Sequence, residues 1–258
     1  MRAIILAGGL GTRMMEETET MPKPMVPING RPMLWHLMNL FSLQEINDFV
    51  LALGYKGEVI KRWILDLHEL DGDLHVNVKN GNKEVKSSGV KNPWNISALE
   101  TGLDTQTGGR IKRCAEGFLD ETFLVTYGDG IGNINLRKLL AFHKSHGKIA
   151  TLTAVRPPAR FGGLTLGDNG AVLEFGEKDQ LTAGWINGGF FVFNRAILDF
   201  LENDNCSLEF DVLPRLAADN QLMAFLHDGF WKPMDTLREK NEFSALAALN
   251  PPPWLEIK

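Results

Sequence analysis

The sequence predicts an α/β fold of Rossmann-like layout: a mixed, mainly parallel sheet with helices on both faces, followed by a smaller β-rich region from about Arg156. Three observations carry that expectation. Ala3-Ile4-Ile5-Leu6-Ala7 is an unbroken apolar run, the pattern of a strand buried on both faces of a parallel sheet. Strand-like and helix-like stretches then alternate through the first half, which right-handed crossovers resolve into parallel strands. Past Arg156-Pro157-Pro158 the style changes to short strands around Asp168-Asn169-Gly170, a hairpin signal. At 258 residues the chain can bury one large core, so a single domain over 1–258 is expected, with halves 1–155 and 156–258.

Taken in order, the first strand breaks into Gly8-Gly9-Leu10-Gly11-Thr12-Arg13. Three glycines leave backbone N–H groups unscreened, and such a turn forms a concavity that holds phosphate. Arg13 and Lys23 add two cations, and Pro22, Pro24 and Pro27 stiffen the chain around Lys23. A guanidinium fork and a point charge on one stiffened loop suit a polyphosphate. A turn that only reverses the chain needs one glycine, not three with two cations. The dinucleotide fingerprint fails because Met14 stands at the third glycine, and no acidic residue lies in 29–34 to grip a ribose. The Walker pattern fails because Arg13-Met14-Met15 replaces its Gly-Lys-Ser/Thr.

Pro32 to Phe41 has helical spacing, with Trp35 and His36 expected to pack rather than react. Asp48 to Leu53 reads as a second buried strand, Glu58 to Leu67 as a helix, and Leu74 to Val78 as a third strand. Asn80-Gly81-Asn82-Lys83 is a turn signal, and Lys83 to Asn92 reads as an exposed lysine-rich excursion. Asn92-Pro93-Trp94-Asn95 leads to Leu99-Glu100-Thr101-Gly102 and then to a helix start, Thr107-Gly108-Gly109-Arg110, capped by Thr107. Glu121 to Tyr127 is a strand ending in Gly128-Asp129-Gly130. Asp129 reads either as a turn aspartate or as a carboxylate able to approach a metal held by phosphates. Asp235, just before an apolar helix at Leu237 to Leu249, reads either as that helix's N-cap or as a second such carboxylate. Helices at Leu136 to Phe142, Ala196 to Leu201 and Ser207 to Ala218, and strands at Ile149 to Val155 and Leu222 to Leu226, complete the expectation.

Composition narrows the function. With 44% apolar and 23% charged residues this is an ordinary globule, and a formal net charge of −5 supplies no basic field for nucleic acid. Anionic ligands must be held by local cations. Cys114 and Cys206 are the only cysteines and lack metal-like spacing, which argues against a disulfide framework or a zinc site. Met1-Arg2 leads straight into the first strand and no apolar run approaches bilayer length, so a cytoplasmic protein without membrane or nucleic-acid partners is expected.

Leu6 to Arg13 match without a gap the L-A-G-G-x-G-T-R signature of the sugar-nucleotide pyrophosphorylases, so this segment resembles that nucleotidyltransferase family. Glu16-Glu17-Thr18 and Pro22-Lys23-Pro24-Met25 look like its glucose-1-phosphate cytidylyltransferase branch. The resemblance covers nearly the whole chain and implies a GT-A-like nucleotidyltransferase fold whose β-rich region receives the sugar. It implies a homo-oligomer that joins CTP to α-D-glucose 1-phosphate, with Arg13 and Lys23 catalytic. Leu6, Ala7, Gly8, Gly9, Gly11, Thr12, Arg13, Lys23, Thr101, Gly108, Arg110 and Asp129 would then border the nucleotide. Y-G-D-G at Tyr127 to Gly130 and P-M-D-T at Pro233 to Thr236 pair Asp129 with Asp235 as ligands of one Mg²⁺. Motifs at Glu177-Lys178 and at Ile186 to Val192 imply that Lys178 binds the acceptor phosphate, with Tyr127, Gly128, Glu177, Asn187 and Gly188 around the sugar. Two departures stand out: Glu100 replaces the family's usual Asp, and Asp179 replaces a proline, setting a negative charge beside Lys178. A cytosine edge asks for an acceptor at its amino group and a donor toward N3 or O2. Carbonyls near Gly8 or Gly108 and the guanidinium of Arg110 are the candidates, unless Arg110 is a surface residue of its helix. The alternatives are another nucleoside triphosphate (UTP or dTTP), another sugar 1-phosphate, or a non-catalytic nucleotide-sugar-binding protein.

Overall fold

Strand β1 (Arg2–Leu6) lies inside the sheet with a neighbour on each side, and its burial explains its composition. In the computed structural model, which describes residues 1–11, 14–69, 72–87, 92–118, 120–156, 162–166, 172–177 and 184–257, Ala3 and Ile5 turn to one face and Ile4 and Leu6 to the other. All four are buried. A strand covered on both faces needs apolar side chains at every position rather than at alternate ones.

Beyond the glycine loop come a short helix α1 (Met15–Thr18), a 3₁₀ turn at Lys23–Met25 and a tight pair of strands, β2 (Pro27–Ile28) and β3 (Arg31–Pro32). Helix α2 (Met33–Ser42) buries Leu34, Leu37, Met38 and Phe41, the stripe its spacing predicts. His36 does pack: it is buried, and its Nε2 lies 2.9 Å from the Ile28 carbonyl. Burial lowers its pKa, so the neutral ring donates to that oxygen. Strand β4 (Asp48–Leu53) runs parallel to β1, and α3 (Gly57–Glu69) follows as expected.

The third strand is a correction. Residues 72–77 do form a strand, β5 (Gly72–Asn77), but it pairs antiparallel with β6 (Asn82–Ser87) in a separate hairpin closed by the Asn80-Gly81 turn. Leu74 and Val76 remain about half exposed, so the described residues do not bury that pair of side chains. The place beside β4 belongs to β7 (Asn95–Glu100), where Ile96 and Ala98 pack on the core. The stretch from Lys83 to Asn92, read as an exposed lysine-rich excursion, is strand over its first part, where Lys83, Glu84 and Lys86 are exposed. Helix α4 (Thr107–Ala115) has Gln106, not Thr107, at its N-cap.

Strand β8 (Thr122–Tyr127) flanks β1 on its other side, also in parallel. After it come β9 (Gly130–Gly132), α5 (Leu136–His146) and β10 (Ala150–Val155). In the second half β11 (Gly162–Leu166) and β12 (Val172–Glu177) form the expected antiparallel pair, and the connecting Asp168-Asn169-Gly170 lies outside the described residues. Strands β13 (Ile186–Asn187) and β14 (Phe191–Asn194) return antiparallel. The helix expected at Ala196 to Leu201 is a 3₁₀ helix, Arg195–Phe200. The helix expected from Ser207 opens instead as a π-helical turn, Leu208–Val212, before α6 (Leu213–Ala218). Strand β15 (Leu222–His227) lies parallel to β10, β16 (Trp231–Pro233) pairs with β9, and α7 (Leu237–Ala247) closes the chain with a 3₁₀ turn at Pro253–Leu255.

Among the described residues the main sheet has eight strands, running β15, β10, then β13 and β14 side by side along β10, β8, β1, β4 and β7. Its carboxyl ends at Leu6, Leu53, Glu100 and Tyr127 open on one edge, where ligands collect in such sheets. No helix among the described residues is long and apolar enough to cross a membrane. On the α2 face the core is capped by Trp254, 1% exposed, whose ring meets His36, Phe230 and Phe243. Trp254→Ala should therefore cost about 3–5 kcal/mol of unfolding free energy in urea titration. A loss under about 1 kcal/mol would mean that the final turn only lies on the surface.

Candidate active site

The glycine loop leaves β1 at Ala7, whose N–H still bonds to the Ala52 carbonyl at 3.0 Å. It then crosses the carboxyl ends of β1, β4 and β8 and lines a cavity of about 620 Å³. Leu6, Ala7, Gly8, Gly9, Gly11, Lys23, Arg110, Tyr127, Gly128, Asp129 and Asp235 line that cavity, all of them expected from the sequence. Gly11 takes a φ of +63°, in the left-handed region that favours glycine. Thr12, Arg13 and Lys178 lie outside the described residues, and Glu177 is described only as the last residue of β12.

Lys23 joins three distant segments. Its Nζ stands 2.7 Å from Asp129 Oδ2 and 2.7 Å from Asp235 Oδ1. Local structure brings the two carboxylates together. Asp129 follows β8; β9 then pairs with β16, Gly130 opposite Pro233, and the Met234 N–H bonds to the Asp129 carbonyl at 2.8 Å. Asp235 is not the N-cap of α7. Thr236 takes that place in a capping box with Glu239, and Glu239 also accepts from the Asp235 N–H at 2.7 Å. The Asp235 carboxylate is thereby turned to Lys23. Burial opposes charge on Lys23, but the Asp129 and Asp235 carboxylates outweigh it, so the ammonium is held above its usual pKa. The loop's far limb is tied down as well. The Thr18 hydroxyl bonds to the carbonyls of Gly11 and Met14, Tyr55 Oη donates to the Thr18 carbonyl, and Lys240 pairs with Glu17.

Arg110 is where expectation and structure part. It is not a surface residue of its helix: it is 5% exposed, and protein acceptors surround the two terminal nitrogens of its guanidinium. Nη1 lies 2.9 Å from the Leu53 carbonyl, 2.7 Å from Thr101 Oγ1 and 2.8 Å from the Gly102 carbonyl. Nη2 lies 3.1 Å from the carbonyls of Gly8 and Leu103. The Gly8 carbonyl, expected to face a cytosine amino group, thus accepts from Arg110, and from the Tyr55 N–H at 3.2 Å. A Cβ at Gly8 would come within 2.2 Å of Arg110 Nη1, and one at Gly54 within 2.6 Å of the Gly8 carbonyl, so both positions must be bare. Thr101 is fully buried, its hydroxyl donating to Leu53 and accepting from Arg110. Gly108 packs α4 against Cys206, where a Cβ would meet the Cys206 carbonyl at 2.7 Å. Neither Thr101 nor Gly108 lines the cavity. The segment Leu103–Thr107 leading into α4 does, and no motif in the sequence singled it out apart from Thr107.

On the other side, Asn187 Nδ2 donates to Tyr127 Oη at 3.3 Å, bringing the sugar-side motif to the cavity's edge. The Gly188 N–H and carbonyl, expected to face sugar hydroxyls, already bond to the Thr153 carbonyl at 2.9 Å and the Trp231 indole N–H at 2.8 Å. A further residue was missed: Glu209, whose carboxylate accepts from Tyr127 and Thr107. It stands 82 residues beyond the nearer of those two in the sequence, and no local pattern could have joined them.

A Rossmann-like sheet that ends in a glycine cradle, a lysine and two converging carboxylates defines an α/β protein built to hold phosphorylated nucleotides. Residues 2–239 match the nucleotidyl transferase family, and the chain belongs to it. It is 46% identical to the glucose-1-phosphate cytidylyltransferase of Salmonella typhi over 98% of both chains. It is also 43% identical to a probable glucose-1-phosphate cytidylyltransferase of Bacillus subtilis, over 95% of this chain and 96% of that one. Among solved structures, HddC from Yersinia pseudotuberculosis complexed with GMP-PN shares the fold, with a TM-score of 0.69 at 23% identity over 95% of this chain and 98% of the other.

The geometry of Arg110 leads to a prediction about base choice. Arg110→Ala should remove hydrogen bonds that tie Gly8, Leu53, Thr101, Gly102 and Leu103 together, at a cost on the order of 3 kcal/mol in stability. It should lower kcat/KM with every triphosphate while leaving the CTP-to-UTP ratio unchanged. A selective loss with CTP, measured against the unmodified protein, would return Arg110 to base reading.

Proposed function

We propose that the protein transfers a cytidylyl group from CTP to α-D-glucose 1-phosphate, forming CDP-glucose and releasing pyrophosphate. The observation that carries this reading is the 46% identity, over 98% of both chains, with a glucose-1-phosphate cytidylyltransferase. The glycine loop, Lys23, Asp129 and Asp235 line one cavity, which supports it.

The chemistry needs no covalent nucleophile. An oxygen of the sugar phosphate is already ionised; it attacks the α-phosphorus of the triphosphate, and the bond to the pyrophosphate oxygen breaks. The protein has to align the two phosphates and neutralise charge. Gly8, Gly9 and Gly11 present backbone to the triphosphate, and Arg13 and Lys23 supply cations to it. Lys178 takes the acceptor phosphate, with Tyr127 and Asn187 beside the sugar. Asp129 and Asp235 would hold Mg²⁺. The fit rests on one observation: both carboxylates already converge on a single cationic nitrogen at 2.7 Å. One or two carboxylates plus substrate phosphates is the ligand set Mg²⁺ favours. When bound, the ion neutralises charge that develops on the phosphates.

Two measurements test the reading. Product analysis with each of the four common triphosphates and a panel of sugar 1-phosphates should return CDP-glucose as the preferred product. Another nucleotide sugar would move the assignment within the family, and no product with any pair would leave a binding protein. Asp129→Asn and Asp235→Asn should each lower turnover on the order of 100-fold with the melting temperature little changed. Near-normal turnover of both at limiting Mg²⁺ would remove the paired-carboxylate site.

A further inference from the structure

Glu209 plays no part in that chemistry, yet it ties together two walls of the cavity. It sits in the π-helical turn Leu208–Val212, a rare insertion that recurs at functional sites. One carboxylate oxygen accepts from Tyr127 Oη at 2.5 Å; the other accepts from Thr107 Oγ1 at 2.6 Å and from Ser207 Oγ at 3.0 Å. Thr107 opens α4 and Tyr127 ends β8, and both line the cavity.

The direction of these bonds is fixed. An ionised carboxylate only accepts, so each hydroxyl must aim its proton at Glu209. The Tyr127 phenol, at 2.5 Å from a Glu209 carboxylate oxygen, gives its proton to that bond. With that proton committed, the phenol oxygen accepts from Asn187 Nδ2. Asn187 is oriented in turn by its own Oδ1, which accepts the Gly189 N–H at 2.9 Å. The chain of donors runs Asn187 to Tyr127 to Glu209. A sugar hydroxyl that approaches Tyr127 meets an acceptor, and one that approaches Asn187 meets its remaining N–H.

We propose that Glu209 is a positioning residue for the acceptor sugar phosphate, fixing Tyr127 as a hydrogen-bond acceptor and holding the Tyr127–Asn187 pair against the first turn of α4. The proposal rests on the sugar-side assignment of Tyr127 and Asn187 under the cytidylyltransferase reading. Glu209→Gln tests it, because an amide N–H facing Tyr127 would force the phenol proton to turn elsewhere. Steady-state kinetics with both substrates, on Glu209→Gln, Tyr127→Phe and the double variant, give the readout, with melting temperatures beside them. The sugar-phosphate KM should rise about tenfold in each single variant while the triphosphate KM stays within about twofold. The double variant should be no worse than the singles, since both break one route. If Glu209→Gln fails to fold, Glu209→Asp, which keeps the charge but draws it back by one methylene, should show the same rise.

A purely structural Glu209 would lower the melting temperature and leave the sugar-phosphate KM alone. That result overturns the proposal, as would equal rises for both substrates or additive losses in the double variant. Failure of the cytidylyl reading shows separately, in the products of the unmodified protein. The variant-to-parent ratio is then taken with the substrates that protein does use, and calorimetric titration of glucose 1-phosphate checks it without turnover.

Discussion

One ammonium holds the site together. Lys23 reaches Asp129 across 106 residues of chain and Asp235 across 212, and each contact closes at 2.7 Å. Two carboxylates brought this close repel unless a cation stands between them. The lysine side chain, only 10% exposed, is itself tolerable there because it is paired twice. The proline-stiffened turn at Lys23, the β9–β16 pairing and the capping box of α7 therefore depend on one another. Each delivers a charge that would be costly without the other two.

Arg110 does for the strand ends what Lys23 does for the two aspartates, with carbonyls in place of carboxylates. Its fork gathers the ends of β1, β4 and β7 through Gly8, Leu53 and Thr101, and its fixed planar geometry suits several acceptors at once. The bare Cα atoms of Gly8 and Gly54 are the steric condition for that approach. A guanidinium so engaged shapes the backbone that a base would meet.

How much was legible in the sequence follows from where the information lies. β1, β4 and β8 announce themselves because burial on both faces writes a continuous apolar run. The cradle and the two aspartates were legible because each sits in a short motif at a strand end. The hairpin of β5 and β6 was misplaced because Leu74 and Val76 alternate like a half-buried strand while the described residues do not bury them. β7 was missed because its Asn, Ser and Glu positions dilute the apolar signal. Arg110 was legible as a cavity residue but its protein acceptors were not, because a sequence shows that a guanidinium is present and not which carbonyls the fold will bring to it. Glu209 left no local trace, since its partners come from α4, β8 and its own turn.

Charge at the centre explains why the paired aspartates and the lysine belong to one reading. The lysine contributes +1 and the carboxylates −2, so the triad sums to −1. The whole chain is also negative, at −5. Neither draws in a polyphosphate, and the anion must be met by cations that the triad alone does not supply. A divalent ion held by the two carboxylates would change the local sum to +1 and leave the lysine's charge available to phosphate. Asp129 and Asp235 would be a liability in a site that bound a triphosphate without metal. In one that bound it with metal they would be the ligands, on the proposed reading, and Lys23 is the cation that holds them together in this structure.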